Sequence, residues 1–263
     1  MMPMNILTAL ADYAKERTAA AKKILPLADV RRAAEILPRG DFPFEKALAA
    51  PELSFICECK KASPSKGLIA ADFPYLSIAC EYERAGAAAI SVLTEPKYFL
   101  GRDEYLREIA AAVTVPCLRK DFTVDEYMIY AAKTLGATAV LLIVAILTDE
   151  ELKAYLSLAD ALGLSALTEA HDEGEIERAL KAGAKIIGVN NRNLKNFTVD
   201  TNNSLALRRY VPQNILFVAE SGITTAKDAA RAKAAGADAV LVGETLMRAA
   251  DKKAKLAELK SLL

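Results

Sequence analysis

The stretch Leu135-Gly136-Ala137-Thr138-Ala139-Val140-Leu141-Leu142-Ile143-Val144 holds a helix end and a buried strand side by side. Glycine after an alanine-rich helix supplies the left-handed residue that terminates it. The apolar run that follows has no polar alternation, as expected of a parallel strand covered on both faces. The same junction recurs at Ala85-Gly86-Ala87, Ala182-Gly183-Ala184 and Ala235-Gly236-Ala237. Eight stretches of the chain are strand candidates: Ser54–Lys60, Ala88–Leu93, Cys117–Lys120, Ala139–Val144, Ser165–Glu169, Ile186–Asn190, Leu216–Glu220 and Ala239–Val242. Their starts recur at intervals of about 20 to 35 residues, room for one strand, one helix and two loops. Between them, Asp149–Leu162 reads as a helix capped by Thr148, with Leu152, Leu156 and Leu158 on its buried stripe and Lys153 and Asp160 outside. Thr224 or Thr225 caps the helix running to Ala235. Eight such units predict an α/β fold, the (β/α)8 or TIM barrel, over residues 54–263. A doubly wound open sheet is the alternative, but it rarely carries eight even repeats.

Ahead of the barrel, Asn5–Lys23 and Asp29–Glu35 read as helices, while Pro43, Phe44 and Pro51 break the approach to the first strand. No Gly/Ser linker separates them, so residues 1–50 are expected to form a helical cap on one single-domain barrel. The chain of 263 residues has 34 basic and 34 acidic side chains. That balance argues against nucleic acid or a polybasic membrane contact. No apolar run approaches the ~18 residues of a membrane span. The start, MMPMNILTALADYAKERTAA, has no basic n-region, and the expectation is a cytoplasmic protein without a signal peptide. Cys57, Cys59, Cys80 and Cys117 read as reduced thiols in apolar surroundings. With a single histidine, His171, a His-rich metal site is excluded and no metal is expected. His171 is expected to begin the helix after the fifth strand and to serve the structure.

Chemistry in such barrels sits at the C-terminal strand ends. Alternation of side chains puts Ile56, Glu58 and Lys60 on one face of the first strand, and Leu118 with Lys120 on one face of the third. Leu167 and Glu169 share a face of the fifth; Ile186, Gly188, Asn190 and then Arg192 share one of the sixth; Leu216, Val218 and Glu220 share one of the seventh. Each charged residue alone reads as a rim ion pair. Together they would be an expensive polar cluster without a task. Glu220-Ser221-Gly222 and Val242-Gly243-Glu244 close the last two strands, where barrels commonly hold phosphate on backbone N–H groups. The loop Ser63-Pro64-Ser65-Lys66-Gly67 reads equally as a ligand cover or a solvated turn, and Phe99 equally as an aromatic wall or packing.

Longer motifs carry a resemblance. Glu58-Cys59-Lys60-Lys61-Ala62-Ser63-Pro64-Ser65-Lys66-Gly67, Leu93-Thr94-Glu95-Pro96-Lys97-Tyr98-Phe99 and Leu118-Arg119-Lys120-Asp121-Phe122 are followed by Leu141-Leu142-Ile143-Val144 and Glu169-Ala170-His171-Asp172. Gly188-Val189-Asn190-Asn191-Arg192-Asn193-Leu194 and Ala219-Glu220-Ser221-Gly222-Ile223 complete the set. The chain closely resembles the indole-3-glycerol-phosphate synthase family over its whole length. Arg102 and Asn193 depart from the common pattern, where a small hydroxyl residue and Asp are usual. The resemblance implies a decarboxylating, ring-closing lyase of tryptophan biosynthesis, acting on 1-(2-carboxyphenylamino)-1-deoxyribulose 5-phosphate without cofactor or metal. It implies Lys120 as general acid, Glu169 as general base, and Lys60 as an anion holder that shares the later acid role. Glu58, Asn190 and Glu220 would hold hydroxyls and lysines. Ser63, Phe99, Phe122, Arg192 and Ser221 would bind substrate, and Gly222, Gly243 and Glu244 would offer backbone to the phosphate. The expected partner is that small phosphorylated molecule alone, with the chain a monomer and a dimer left open.

Overall fold

The computed structural model describes residues 6–193 and 197–263. Asn5, the expected start of the first helix, and Leu194 of the sixth-strand motif lie outside the described residues. Eight parallel strands close into a barrel: β1 Ser54–Cys59, β2 Ala89–Leu93, β3 Cys117–Lys120, β4 Ala139–Ile143, β5 Ser165–Ala170, β6 Ile186–Asn190, β7 Leu216–Glu220 and β8 Ala239–Val242. β1 pairs with both β2 and β8, which completes the ring and leaves no free edge. The helices are α1 Ile6–Ile24, α2 Leu27–Ile36, α3 Pro43–Leu48, α4 Tyr75–Arg84, α5 Asp103–Ala112, α6 Glu126–Thr134, α7 Asp149–Leu162, α8 Glu173–Ala182, α9 Asn202–Leu207, α10 Ala226–Ala234, α11 Glu244–Arg248 and α12 Lys252–Lys260.

Side-chain alternation sorts each strand between two cores. Ile56, Leu118, Leu141, Leu167, Ile186, Val218 and Leu241 point inward and fill the barrel. Cys57, Cys59, Val140, Leu142, Ile187, Val189 and Phe217 point outward and pack under the helices. This two-sided burial explains the continuous apolar runs. Cys57, Cys59 and Cys117 are buried free thiols, and burial pushes Cys57 and Cys117 up to about 12. Gly86, Gly136, Gly183 and Gly236 all have positive φ, 85° to 96°, the conformation their helix ends require. Thr148 and Thr225 each form a capping box, with Glu151 and Asp228 respectively.

Several expectations are corrected. Lys60 lies just beyond β1, Ala88 just before β2, and Val144 opens a turn of 3₁₀ helix, Val144–Ile146, after β4. Leu152 is fully buried, Leu156 and Leu158 are half-buried and pack against the outer core, and the stripe continues to Ala159 and Leu162. Asp160 faces outward as expected, its carboxylate paired with Lys185 at 2.8 Å on the surface. Pro43 does not break the chain. It occupies the first turn of α3, where its missing N–H costs nothing. α3 plugs the bottom of the barrel with Phe44 and Leu48, and Ser54 Oγ donates to Ala47 O at 3.0 Å. α1 lies at the opposite end, with Leu7, Leu10, Ala11 and Ala14 on its buried stripe. There Arg17 pairs with the buried Asp121, and Lys22 with Asp125 at 2.6 Å. Among the described residues, no helix is long and apolar enough to cross a membrane.

Candidate active site

A cavity of about 980 Å³ opens at the C-terminal strand ends. That is the upper end of the size usual for small-molecule sites. Glu58, Lys60, Ser63, Phe99, Lys120, Phe122, Glu169, Asn190, Arg192, Glu220, Ser221, Gly222, Gly243 and Glu244 all line it. The structure therefore brings every residue singled out from the sequence to one place.

Its floor is a chain of charges. Lys120 Nζ lies 3.0 Å from Glu169 Oε2 and 3.2 Å from Glu220 Oε2. Lys60 Nζ hydrogen-bonds Glu58 Oε1. Asn190 Nδ2 donates to Glu169 Oε1 at 3.3 Å. Burial works against the Lys120 charge, but Glu169, then Glu220 and Glu58, outweigh it, and the net shift is upward. Lys120 is therefore an ammonium held over three carboxylates. Burial alone would raise Glu169, yet Lys120, then His171, hold it below the usual carboxylate range. Burial pushes Glu220 up to about 7, with Lys120 opposing and Glu169 adding to the rise. Two carboxylates on one lysine thus separate into an ionised one and one poised near neutrality, the separation expected where acid–base chemistry is done.

Glycines make room for this cluster. A Cβ on Gly188 would stand 2.2 Å from Glu220 Oε1, and one on Gly243 would stand 2.3 Å from Glu58 Oε1 and 2.9 Å from Lys60 Nζ. At the end of β7, Ser221 and Gly222 are both left-handed, with φ of 67° and 83°. That conformation is strained for serine. Asn191 fixes it by donating from Nδ2 to Ser221 O at 3.0 Å. Glu244 opens α11 after Gly243, with its carboxylate 3.7 Å from Lys66, 3.9 Å from Arg192 and 3.0 Å from Arg248. Arg192 also donates to Ser65 Oγ at 3.2 Å, which ties the loop after β1 to the loop after β6. Ser63 and Gly67 pair in a short hairpin within that first loop.

The aromatic side is built by residues the sequence reading passed over. Buried Glu95 accepts from the backbone N–H groups of Lys97, Tyr98 and Phe99 at 2.7 to 2.9 Å. This turn sets Phe99 6.0 Å, centre to centre, from Phe122. Asp121 accepts from Thr94 Oγ1 at 2.6 Å and from Phe122 N at 2.8 Å, anchoring the loop beyond Lys120. Burial opposes the Asp121 charge, but Arg17 and Arg119 carry its pKa downward. Alternation would have flagged Asn191 and Asp121 only as outward-facing neighbours of Asn190 and Lys120. His171 is a correction. α8 begins at Glu173, capped by Asp172, and His171 lies between Glu169 and Glu175.

With this geometry in place, likeness to known proteins decides the family. The sequence model for indole-3-glycerol phosphate synthase matches residues 7–259. The chain belongs to the indole-3-glycerol phosphate synthase family. A synthase of that name from Ruminiclostridium cellulolyticum is 54% identical over 97% of this chain and 98% of its own. Another, from Lacticaseibacillus paracasei, is 55% identical over the same shares. The 3-hexulose-6-phosphate synthase structure from Salmonella typhimurium is 13% identical and covers 80% of this chain and 98% of its own at a TM-score of 0.66, which speaks for the barrel alone. Membership of the indole-3-glycerol phosphate synthase family makes the chain a carboxy-lyase of tryptophan biosynthesis.

Proposed function

We propose that this mouth closes the indole ring of 1-(2-carboxyphenylamino)-1-deoxyribulose 5-phosphate, giving indole-3-glycerol phosphate, carbon dioxide and water. The observation that carries the reading is the Lys120 ammonium set between Glu169 and Glu220 at 3.0 and 3.2 Å. Lys120 donates its proton to the ketone oxygen as the aromatic carbon attacks the ketone carbon, a need confined to the transition state. The carboxylate then leaves as carbon dioxide, and its bonding pair restores the aromatic ring. The new hydroxyl departs as water on a proton from Lys60, or from Lys120 after it has taken up a proton from solvent, while Glu169 removes the last proton from carbon. Much of the acceleration comes from folding the substrate so that the two carbons meet.

The substrate's ends suit the two sides of the cavity. Its phosphate docks on the Ser221–Gly222 turn and on the Gly243–Glu244 backbone. Lys60 and Arg192 answer its anionic groups, with Ser63 nearby. The Phe99–Phe122 wall takes the ring. Glu58, Asn190 and Glu220 hold hydroxyls and lysines in place. Residues 1–50 work as part of the same unit, with α1 over the mouth and α3 under the barrel. A biosynthetic role of this kind belongs in the cytoplasm.

A lysine at a strand end also fits a Schiff-base aldolase, so the test must separate acid from imine. Lys120→Ala is expected to depress kcat at least about 10²-fold with KM much less changed. Borohydride added during turnover should leave Lys120 unmodified by mass spectrometry. A covalent adduct on Lys120 would overturn the acid role.

A further inference from the structure

His171 has no part in the chemistry proposed above, yet it touches the group placed there as the base. Its Nε2 lies 3.3 Å from Glu169 Oε1, at ion-pair distance though out of line for a good hydrogen bond. Its Nδ1 lies 3.0 Å from Glu175 Oε2. The same Glu175 oxygen accepts the His171 backbone N–H at 2.8 Å, so α8 holds the ring from both ends of the residue. Asn203 of the α9 helix reaches the His171 carbonyl at 3.5 Å. The charged groups that face the ring are Glu169 from β5 and Glu175 from α8, both acceptors. Lys120 lies on the far side of Glu169. A neutral imidazole would turn one bare lone pair toward a carboxylate, whereas the doubly protonated ring presents an N–H toward each, hydrogen-bonded to Glu175 and ion-paired with Glu169.

Resting on the assignment of Glu169 as the base, we propose that His171 is its positioning residue, an imidazolium strut between Glu169 and Glu175 that keeps the Glu169 carboxylate ionised and aimed. Lys120 holds one Glu169 oxygen. The strut and Asn190 hold the other. The carboxylate then cannot rotate away while Lys120 gives up its proton. Burial opposes the ring's charge, but the two carboxylates raise its pKa to about 10, in accord with the strut. The side chain is one-fifth exposed, so the bridge also reaches toward solvent.

His171 is the chain's only histidine, so its titration can be read by NMR of the ring without assignment. The unaltered enzyme should show a ring still protonated at pH 8, and Glu175→Gln should bring its midpoint down by about one unit or more. In kinetics, His171→Asn should lower kcat about ten-fold or more with little change in KM. Glu175→Gln should fall between the two enzymes. A ring that titrates near the ordinary histidine value of about 6.5, or a His171→Asn enzyme with unchanged kcat, overturns the proposal. If the unaltered enzyme does not turn over the substrate, the proposed function fails. The titration still decides whether the bridge exists, since it needs no catalysis.

Discussion

At the scale of single residues, the decisive feature is that Lys120, Glu169 and Glu220 have neither equal surroundings nor equal tasks. Glu169 meets Lys120, Asn190 and His171, and its charge is fully answered. Glu220 meets Lys120 through one oxygen, while its other, Oε1, is buried with no hydrogen-bond partner. Glu169→Gln keeps the shape and loses the base. It should keep the fold and substrate binding and slow turnover about 10²- to 10⁴-fold. Steady-state kinetics on the folded variant checks this, and near-normal turnover removes Glu169 from the mechanism. Glu220 gives a stability test. Its folded pKa, about 7, lies above the ordinary 4.5, so the native state binds its proton more tightly than the unfolded chain. That contribution is fully present below about pH 4.5 and is lost as pH rises through 7. Replacing it with glutamine should therefore help the fold increasingly from pH 5 to pH 8, by on the order of 3 kcal/mol at most. Urea unfolding of both proteins across that range reads the difference. A difference that does not change with pH would show that Glu220 titrates normally.

At the scale of elements, the strand ends and the turns after them build the site. Lys120 and Glu169 were legible in the sequence because strand alternation fixes which face a side chain takes once the apolar run is located. Gly243 was legible as a turn beside a possible anion. Its other task, leaving space for the Glu58–Lys60 pair, depends on a neighbouring strand and has no local signature. Gly243→Val should push that pair aside and raise KM for phosphorylated substrate well beyond any loss of stability. An unchanged affinity for a phosphate ligand would place the phosphate elsewhere. Pro43 and His171 misled for a related reason. A proline can break a chain or start a helix, and a histidine near a helix start can cap it or miss it. Packing decides both: Phe44 and Leu48 find the bottom of the barrel, and Asp172 takes the cap that His171 was expected to open.

At the scale of the whole molecule, the barrel is a closed ring whose inner face is mostly apolar below the mouth, with Ser54, Ser91 and Ser165 as buried polar exceptions. The charged layer sits where that packing stops: Leu118 is buried within the barrel and Lys120, two residues on, faces the cavity. α1 crosses this end through Arg17 and Asp121, so the first helix and the loop beyond Lys120 are tied together. The eightfold repeat could be read from glycines and apolar runs alone. The path of residues 6–50 could not, because helix periodicity gives a buried face without naming what covers it. Whether this ring of residues makes an indole is read most directly from the rise of indole fluorescence on mixing purified enzyme with 1-(2-carboxyphenylamino)-1-deoxyribulose 5-phosphate. Steady product formation is expected with no cofactor added, falling at least about 10²-fold in the Lys120→Ala enzyme. Consumption of the substrate without an indole signal, or an indole signal unaffected by loss of Lys120, would contradict it.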